Sequence, residues 1–268
     1  MVGHLVIRKE QSASGQAGLH ASALTVRCSG SIPAAMSETY VLRRIPLFST
    51  LEETDLGRLE RRLVQRRYTR GQVLFHMGDE GGNLYMIRKG RVKVTIPSSD
   101  GEEMILALLG PGEILGEISL IDGKPRSATV QAMKDTEAMC LYREDFLEVL
   151  QGRFDMVLHV LAILAGRLRQ TDVLLAESHF MDITSRLAKK ILDLGRTFGV
   201  EEENGLRIGV RVTQRDLASM VGATRESVNK QFKVLREQGL LAMNEGYLQI
   251  LDLPGLTRRI RAVNARRV

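Results

Sequence analysis

Two stretches of this sequence carry side chains whose types and spacing could recognise phosphate-bearing molecules. In the first, Leu115-Gly116-Glu117-Ile118-Ser119-Leu120-Ile121 is followed, after Asp122-Gly-Lys-Pro125, by Arg126-Ser127-Ala128-Thr129. Gly116 permits close backbone approach to a ligand, and a short helical turn after it would aim amide N–H groups at an anion. Arg126 can pair with a phosphate, Ser127 can add a hydroxyl donor, and Glu117 can accept from a sugar hydroxyl. A Glu and an Arg nine residues apart can equally form a structural salt bridge, and their loss is expected to spare a unit whose core is apolar. In the second stretch, Thr213-Gln214-Arg215-Asp216 reads as a helix N-cap with an acidic third residue, Gly222-Ala223-Thr224 as a turn, and Thr224 as the cap of a further helix, Arg225 to Glu237. Val228, Phe232 and Leu235 form the buried stripe of that helix. Its outer face is then left to Arg225, Glu226, Asn229, Lys230 and Lys233. An Arg fork matches guanine O6 and N7, and a carboxylate can accept from cytosine N4, so this is chemistry suited to base edges in a major groove. Thr213, Gln214 and Thr224, at the starts of the two helices, join the candidate DNA contacts.

The elements that must position these groups can be read from periodicity. From Tyr68 to Tyr142, β-branched or apolar runs (Gln72 to His76, Leu84 to Lys89, Arg91 to Ile96, Met104 to Leu109, Arg126 to Met133, Thr136 to Tyr142) alternate with glycine turns, which indicates a closed all-β unit. Ser99-Asp100-Gly101 reads as a hairpin tip. A long helix follows, from about Phe154 to Phe180, on which Leu161, Leu164, Leu168, Thr171 and Leu175 recur at steps of three and four. Such a seam calls for a partner helix. Asp182 is placed to cap the next helix, whose apolar face is Ile183, Leu187, Ile191 and Leu194. A strand from Leu206 to Val212, the two short helices and a hairpin from Leu240 to Ile250 around Asn244-Glu245-Gly246 complete a winged helix-turn-helix. The fold class expected is α+β: a flexible tail over 1–36, with Met36 an alternative start, a β-roll over 37–152, a dimerisation helix and hinge over 153–181, and the winged unit over 182–268.

Composition agrees with two folded domains in a chain of 268 residues, at 44% hydrophobic and 26% charged residues. The net charge of +6 is unevenly spread: residues 182–268 hold 16 Lys and Arg against 10 Asp and Glu, whereas residues 1–181 hold 22 of each. A neutral unit followed by a basic one suggests that the second meets a polyanion such as DNA. Cys28 and Cys140 stand alone, too few for an iron–sulfur cluster or a structural zinc site. The five histidines form no metal set, and no nucleophile–base arrangement of an enzyme is evident. The apolar runs are too short to cross a bilayer and residues 1–35 lack a signal-peptide core, so a cytoplasmic location is expected.

Taken together, the order of elements, the Gly-Glu and Arg-Ser pairs and the Gly222-Ala-Thr-Arg-Glu-Ser-Val228 stretch resemble the CRP/FNR family of bacterial transcription regulators over roughly Ile45 to Ile250. The resemblance implies a homodimer that binds a cyclic nucleotide, cAMP by preference, reads a palindromic operator and meets RNA polymerase. It implies that Gly116, Glu117, Arg126 and Ser127 hold the ribose-phosphate, that Thr171 and its neighbour Asp172 face the base, and that Phe180-Met181-Asp182 is the hinge. Arg225 and Glu226 match the family's base-reading pair, while Lys230 stands where its activator type has a second Arg, and Asp172 where it has a Ser. Neither the cysteine cluster of the oxygen-sensing branch nor the axial His of the haem branch has a counterpart. Two other readings stay open: a regulatory subunit that binds nucleotide without binding DNA, and a regulator whose β-roll is a ligand-independent scaffold.

Overall fold

A computed structural model describes residues 42–43, 45–98 and 101–261. The sequence-expected tail over 1–36 and the hairpin tip at Ser99-Asp100 lie outside the described residues. Helix α1 (Glu53–Glu60) leads into strands β1 (Val64–Tyr68), β2 (Val73–Phe75), β3 (Asn83–Pro97), β4 (Glu103–Leu109) and β5 (Ile114–Leu115). A single six-residue helix, α2 (Glu117–Asp122), interrupts the strands before β6 (Thr129–Tyr142). All pairings are antiparallel, in the order β1-β6-β3-β4, with β2 on β6 and β5 on β3.

Four of the expected strands merge into two. Gly90, read from the sequence as a turn, is instead an irregularity within the continuous β3, where the pairing with β6 shifts register. At φ 103° it occupies the left-handed region, and a Cβ there would fall 2.4 Å from Thr136 Oγ1. Glycine therefore permits a close crossing of two long strands rather than a reversal. Strand β1 escaped prediction because its middle residues, Gln65, Arg66 and Arg67, are exposed and charged or polar, with no alternation to read.

Helix α3 (Arg143–Leu150) joins the roll to α4 (Phe154–Phe180), which has the expected span and buries Met156 and Val160 in one roll core with Phe48, Leu84, Leu120 and Phe146. Met181 is extended, and Asp182 caps α5 (Ile183–Phe198) by accepting from Ser185 N–H at 2.7 Å. Strands β7 (Gly199–Glu202) and β8 (Gly205–Ile208) form a hairpin, so the expected single strand over Leu206 to Val212 is shorter and has a partner. Helices α6 (Gln214–Val221) and α7 (Arg225–Glu237) precede the wing, β9 (Leu241–Asn244) and β10 (Tyr247–Ile250), and a last helix α8 (Leu253–Arg261) packs on α5. The four short strands order as β7-β8-β10-β9. Glu245 and Gly246, at φ 50° and 80°, make the two-residue left-handed turn that suits the twist of a hairpin. Leu187, Ile191, Leu217, Val228, Phe232, Leu235 and Leu248 are among the residues of the core beneath α7.

Candidate functional site

Arg126 and Glu117 come together in the interior of the roll. Gly116 caps α2 at φ 84°, and a Cβ on it would lie 2.4 Å from Arg126 Nη1 and 3.1 Å from the Asn83 carbonyl oxygen. The close approach that glycine permits is therefore made by Arg126. Its Nη1 donates to the Gly116 carbonyl at 3.0 Å, and its Nη2 donates to the Asn83 carbonyl at 2.8 Å and to Asn83 Oδ1. The guanidinium carbon lies 4.3 Å from the Phe75 ring centroid and 5.9 Å from that of Tyr85. Arg126 is only 3% exposed, yet each of these hydrogen bonds goes to an uncharged oxygen. Its Nε is buried without a partner among the described residues. Burial pushes the Arg126 pKa down, against the charges of Tyr85, Cys140, Glu117 and Asp79. A buried cation held by neutral groups, with a donor unspent, is poised for an anion.

Glu117 is 1% exposed and pairs through Oε1 with Arg167 of α4, while Oε2 is buried without a partner among the described residues. Burial raises its pKa, and Arg167 works against that rise. Arg167 Nη2 also donates to the Ile114 carbonyl at 2.7 Å, so this side chain ties the long helix to the floor of the site. Ser127 is exposed beside Arg126. Thr171 and Asp172 are exposed on α4; Thr171 Oγ1 donates to the Arg167 carbonyl at 3.1 Å, one turn back. The structure thus gathers Gly116, Glu117 and Arg126, and leaves Thr171 and Asp172 on the adjoining helix surface. Sequence reasoning missed Arg167 and Asn83. Arg167 had a signal, because it lies four residues before Thr171 and so shares its helix face. Asn83, 43 residues from Arg126, had none.

The second constellation is built by local caps. Thr213 and Asp216 form a reciprocal capping box at the start of α6: Asp216 N–H donates to Thr213 Oγ1 at 3.1 Å, and Thr213 N–H to Asp216 Oδ2 at 2.8 Å. Gly222, at φ 60°, ends α6 in the left-handed conformation, and Thr224 Oγ1 accepts from Ser227 N–H at 3.2 Å to start α7. The hydroxyls of Thr213 and Thr224 are thus engaged in setting the helices. Arg225, Glu226, Lys230 and Lys233 are exposed on α7, with Lys233 3.7 Å from Glu237. Asn229, expected on the outer face, is half-buried, and its Oδ1 lacks a partner among the described residues. Thr213, Gln214, Arg215 and Arg225 line a concavity between the two helix starts, which adds Arg215 to the candidates.

Comparison with known proteins assigns residues 65–153 to the cyclic nucleotide-binding domain and residues 185–259 to the Crp-like helix-turn-helix domain. The chain is 32% identical over 221 residues to a CRP-like cAMP-activated global transcriptional regulator of Mycobacterium tuberculosis, covering 82% of this chain and 99% of that one. It is 37% identical over 212 residues to the cyclic AMP receptor protein of Thermus thermophilus, covering 77% and 93%. Among solved structures, the c-di-GMP responsive regulator CLP of Xanthomonas campestris superposes with a TM-score of 0.67 at 24% identity, over 75% of this chain and all of CLP, a likeness of fold.

Proposed function

This chain belongs to the CRP/FNR family of ligand-responsive, DNA-binding transcription regulators, and from that premise we propose that cAMP, bound at Glu117 and Arg126, raises the affinity of a homodimer for a palindromic operator. The observation that carries the reading is the buried Arg126, whose hydrogen bonds among the described residues go to uncharged oxygens. The nucleotide's cyclic phosphate supplies the missing anion to Arg126 and Ser127, above Gly116. Glu117 Oε2, the unspent acceptor, takes the ribose 2′-hydroxyl. Thr171 and Asp172 face the base. A carboxylate offers acceptors only, which suits the adenine N6 amine and repels guanine O6, although guanine N1–H and N2–H₂ could donate to it.

The same proposal takes residues 37–152 as the nucleotide unit, 153–181 as dimer helix and hinge, and 182–268 as the DNA-binding unit. The seam of α4 supports the dimer, since Leu161, Leu168 and Leu175 are 54%, 63% and 69% exposed in the single chain. Arg225 and Glu226 read bases, assisted by Asn229, Lys230 and Lys233. Thr213, Gln214 and Thr224 set the helices against the phosphate backbone, and the bound dimer meets RNA polymerase. Titration calorimetry with cAMP, cGMP and a cyclic dinucleotide tests the ligand: cAMP is expected to bind tightest, and tighter cGMP binding overturns the base assignment. Light scattering tests the assembly. The unmodified protein should be a dimer, and Leu168→Asp should shift it toward monomer by burying a charge on the seam.

A further inference from the structure

Among the described residues, Asn83 accepts two of the three hydrogen bonds that the head of Arg126 donates. It is the first residue of β3, and it meets Arg126 Nη2 twice, through its main-chain carbonyl at 2.8 Å and through its side-chain Oδ1. A terminal guanidinium nitrogen carries two hydrogens, so Asn83 takes up Nη2 fully. Nη1 is held from another element, by the Gly116 carbonyl at 3.0 Å where α2 begins. Two anchors on separate elements fix the plane of the head, and Nε is left buried without a partner.

Asparagine and aspartate have the same shape and the same reach, so the residue type at 83 is a choice of charge. An amide oxygen accepts a hydrogen bond and leaves the cation uncancelled, whereas a carboxylate would make Arg126 one half of a buried ion pair. Two acidic residues are built into the same surroundings, and both keep to that rule. Glu117 follows Gly116 directly, yet its Oε1 pairs with Arg167. Asp79 meets Arg126 through its main-chain carbonyl, which accepts from the Arg126 main-chain N–H at 2.8 Å, while its Oδ2 accepts from His76 N–H at 2.7 Å. The rings that flank the head, Phe75 and Tyr85, are uncharged side chains.

We propose that Asn83 is a positioning residue that fixes the head of Arg126 without cancelling its charge, so that the neutrality of this one side chain sets the affinity of the roll for a phosphate group. The proposal deepens the nucleotide reading given above and rests on it for the identity of the ligand. A counter-charge brought by the ligand offsets the desolvation of the buried cation. A counter-charge already standing at position 83 would remove that part of the driving force, although every hydrogen bond to Arg126 could still form.

The test compares Asn83→Asp, Asn83→Ala and the unmodified full-length protein by cAMP calorimetry and by thermal denaturation. Asn83→Asp is expected to weaken cAMP binding by more than about tenfold, as neutralising a buried charged contact implies, while melting at or above the temperature of the unmodified protein. Asn83→Ala removes an acceptor and keeps the charge, so it should melt lower yet bind cAMP within about tenfold of the unmodified protein. The two variants are thus expected in opposite order for stability and for binding. A structural role for Asn83 gives one order for both, and Asn83→Asp binding cAMP as well as Asn83→Ala or better overturns the proposal. If Asn83→Asp does not fold, the uncharged variants decide: Asn83→Ala and Asn83→Ser should both stay within about tenfold, and a larger loss in either overturns it. Failure of cAMP, cGMP and a cyclic dinucleotide to bind the unmodified protein would remove the nucleotide reading instead. Inorganic phosphate is then the probe: it should raise the melting temperature of the unmodified protein and not that of Asn83→Asp, and an equal response of the two, or none in either, overturns the role of Asn83.

Discussion

The nucleotide site and the reading helix solve opposite problems with the same residue type. Arg126 is buried, and three oxygens and two aromatic rings from β2, β3 and the start of α2 surround it. Arg225 is exposed on the first turn of α7, aimed only by the backbone that Thr224 caps. A buried arginine gains its geometry from tertiary partners, so its function and the stability of its surroundings are inseparable. An exposed one gains its geometry from the helix it stands on, and can be removed without cost to the fold. The contrast predicts graded outcomes.

The largest effect belongs to Arg126→Leu. Deleting the buried cation proposed to meet the phosphate should weaken cAMP binding by more than about a hundredfold, in line with the roughly 2–5 kcal/mol lost when one partner of a buried charged contact is truncated. The sequence alone suggested that the roll would be indifferent. The structure adds a cost to that expectation, because the change removes the Arg126 donors from the Gly116 and Asn83 oxygens, and an orphaned buried acceptor costs about 1–3 kcal/mol. Calorimetry and thermal denaturation should therefore both respond. A variant that lost cAMP while melting as the unmodified protein does would show that Arg126 is not part of the roll's interior.

What the sequence disclosed follows the same division. Caps, turns and amphipathic stripes depend on neighbours within a few residues, so Thr213, Asp216, Gly222, Thr224 and the span of α7 were legible, as was α4. The Gly-Glu and Arg-Ser pairs were legible as residue types. Their geometry was not, since the partners that matter come from β3 and α4, 43 and 50 residues away. Hydrophobic period cannot report a contact made by Asn83 or by Arg167. For the same reason Gly90 read as a turn: a glycine at a cross-strand crowding point and a glycine at a reversal look alike in one dimension.

Arg225→Ala comes next. It should cost about 1–3 kcal/mol on the operator, relax one G·C position and leave binding to random duplex nearly unchanged. It should not move the melting temperature, in contrast to Arg126→Leu. Equal losses on operator and random DNA would reduce Arg225 to a phosphate contact. Thr224→Ala sharpens the comparison at about 1 kcal/mol: removing an N-cap lowers stability and loosens the first turn that carries Arg225. Binding should weaken through loss of helix order, and the melting temperature should fall with it. A binding loss without a stability loss would make the Thr224 hydroxyl a direct DNA contact.

The smallest effect, and the one that most directly tests what burial does, is the pH response of Glu117. Its pKa lies above the ordinary carboxylate value of 4.5, with burial the leading cause and Arg167 opposing. A carboxylate whose folded value is raised takes up its proton more readily folded than unfolded. Its contribution to stability is therefore full below 4.5 and is lost as pH rises through the raised value. Glu113, raised by burial ahead of its opposing partners, acts in the same direction. Ligand affinity should run the other way, because the proposed function makes the ionised Glu117 the acceptor for the ribose hydroxyl. As pH falls through that raised value toward 4.5, cAMP affinity of the unmodified protein should fall, while Glu117→Gln, already weaker, should show no such slope. The melting-temperature difference between the two proteins should narrow over the same interval, as protonation makes the glutamate resemble the amide. An identical affinity slope in Glu117→Gln would assign the titration to another group and leave Glu117 as the partner of Arg167 alone.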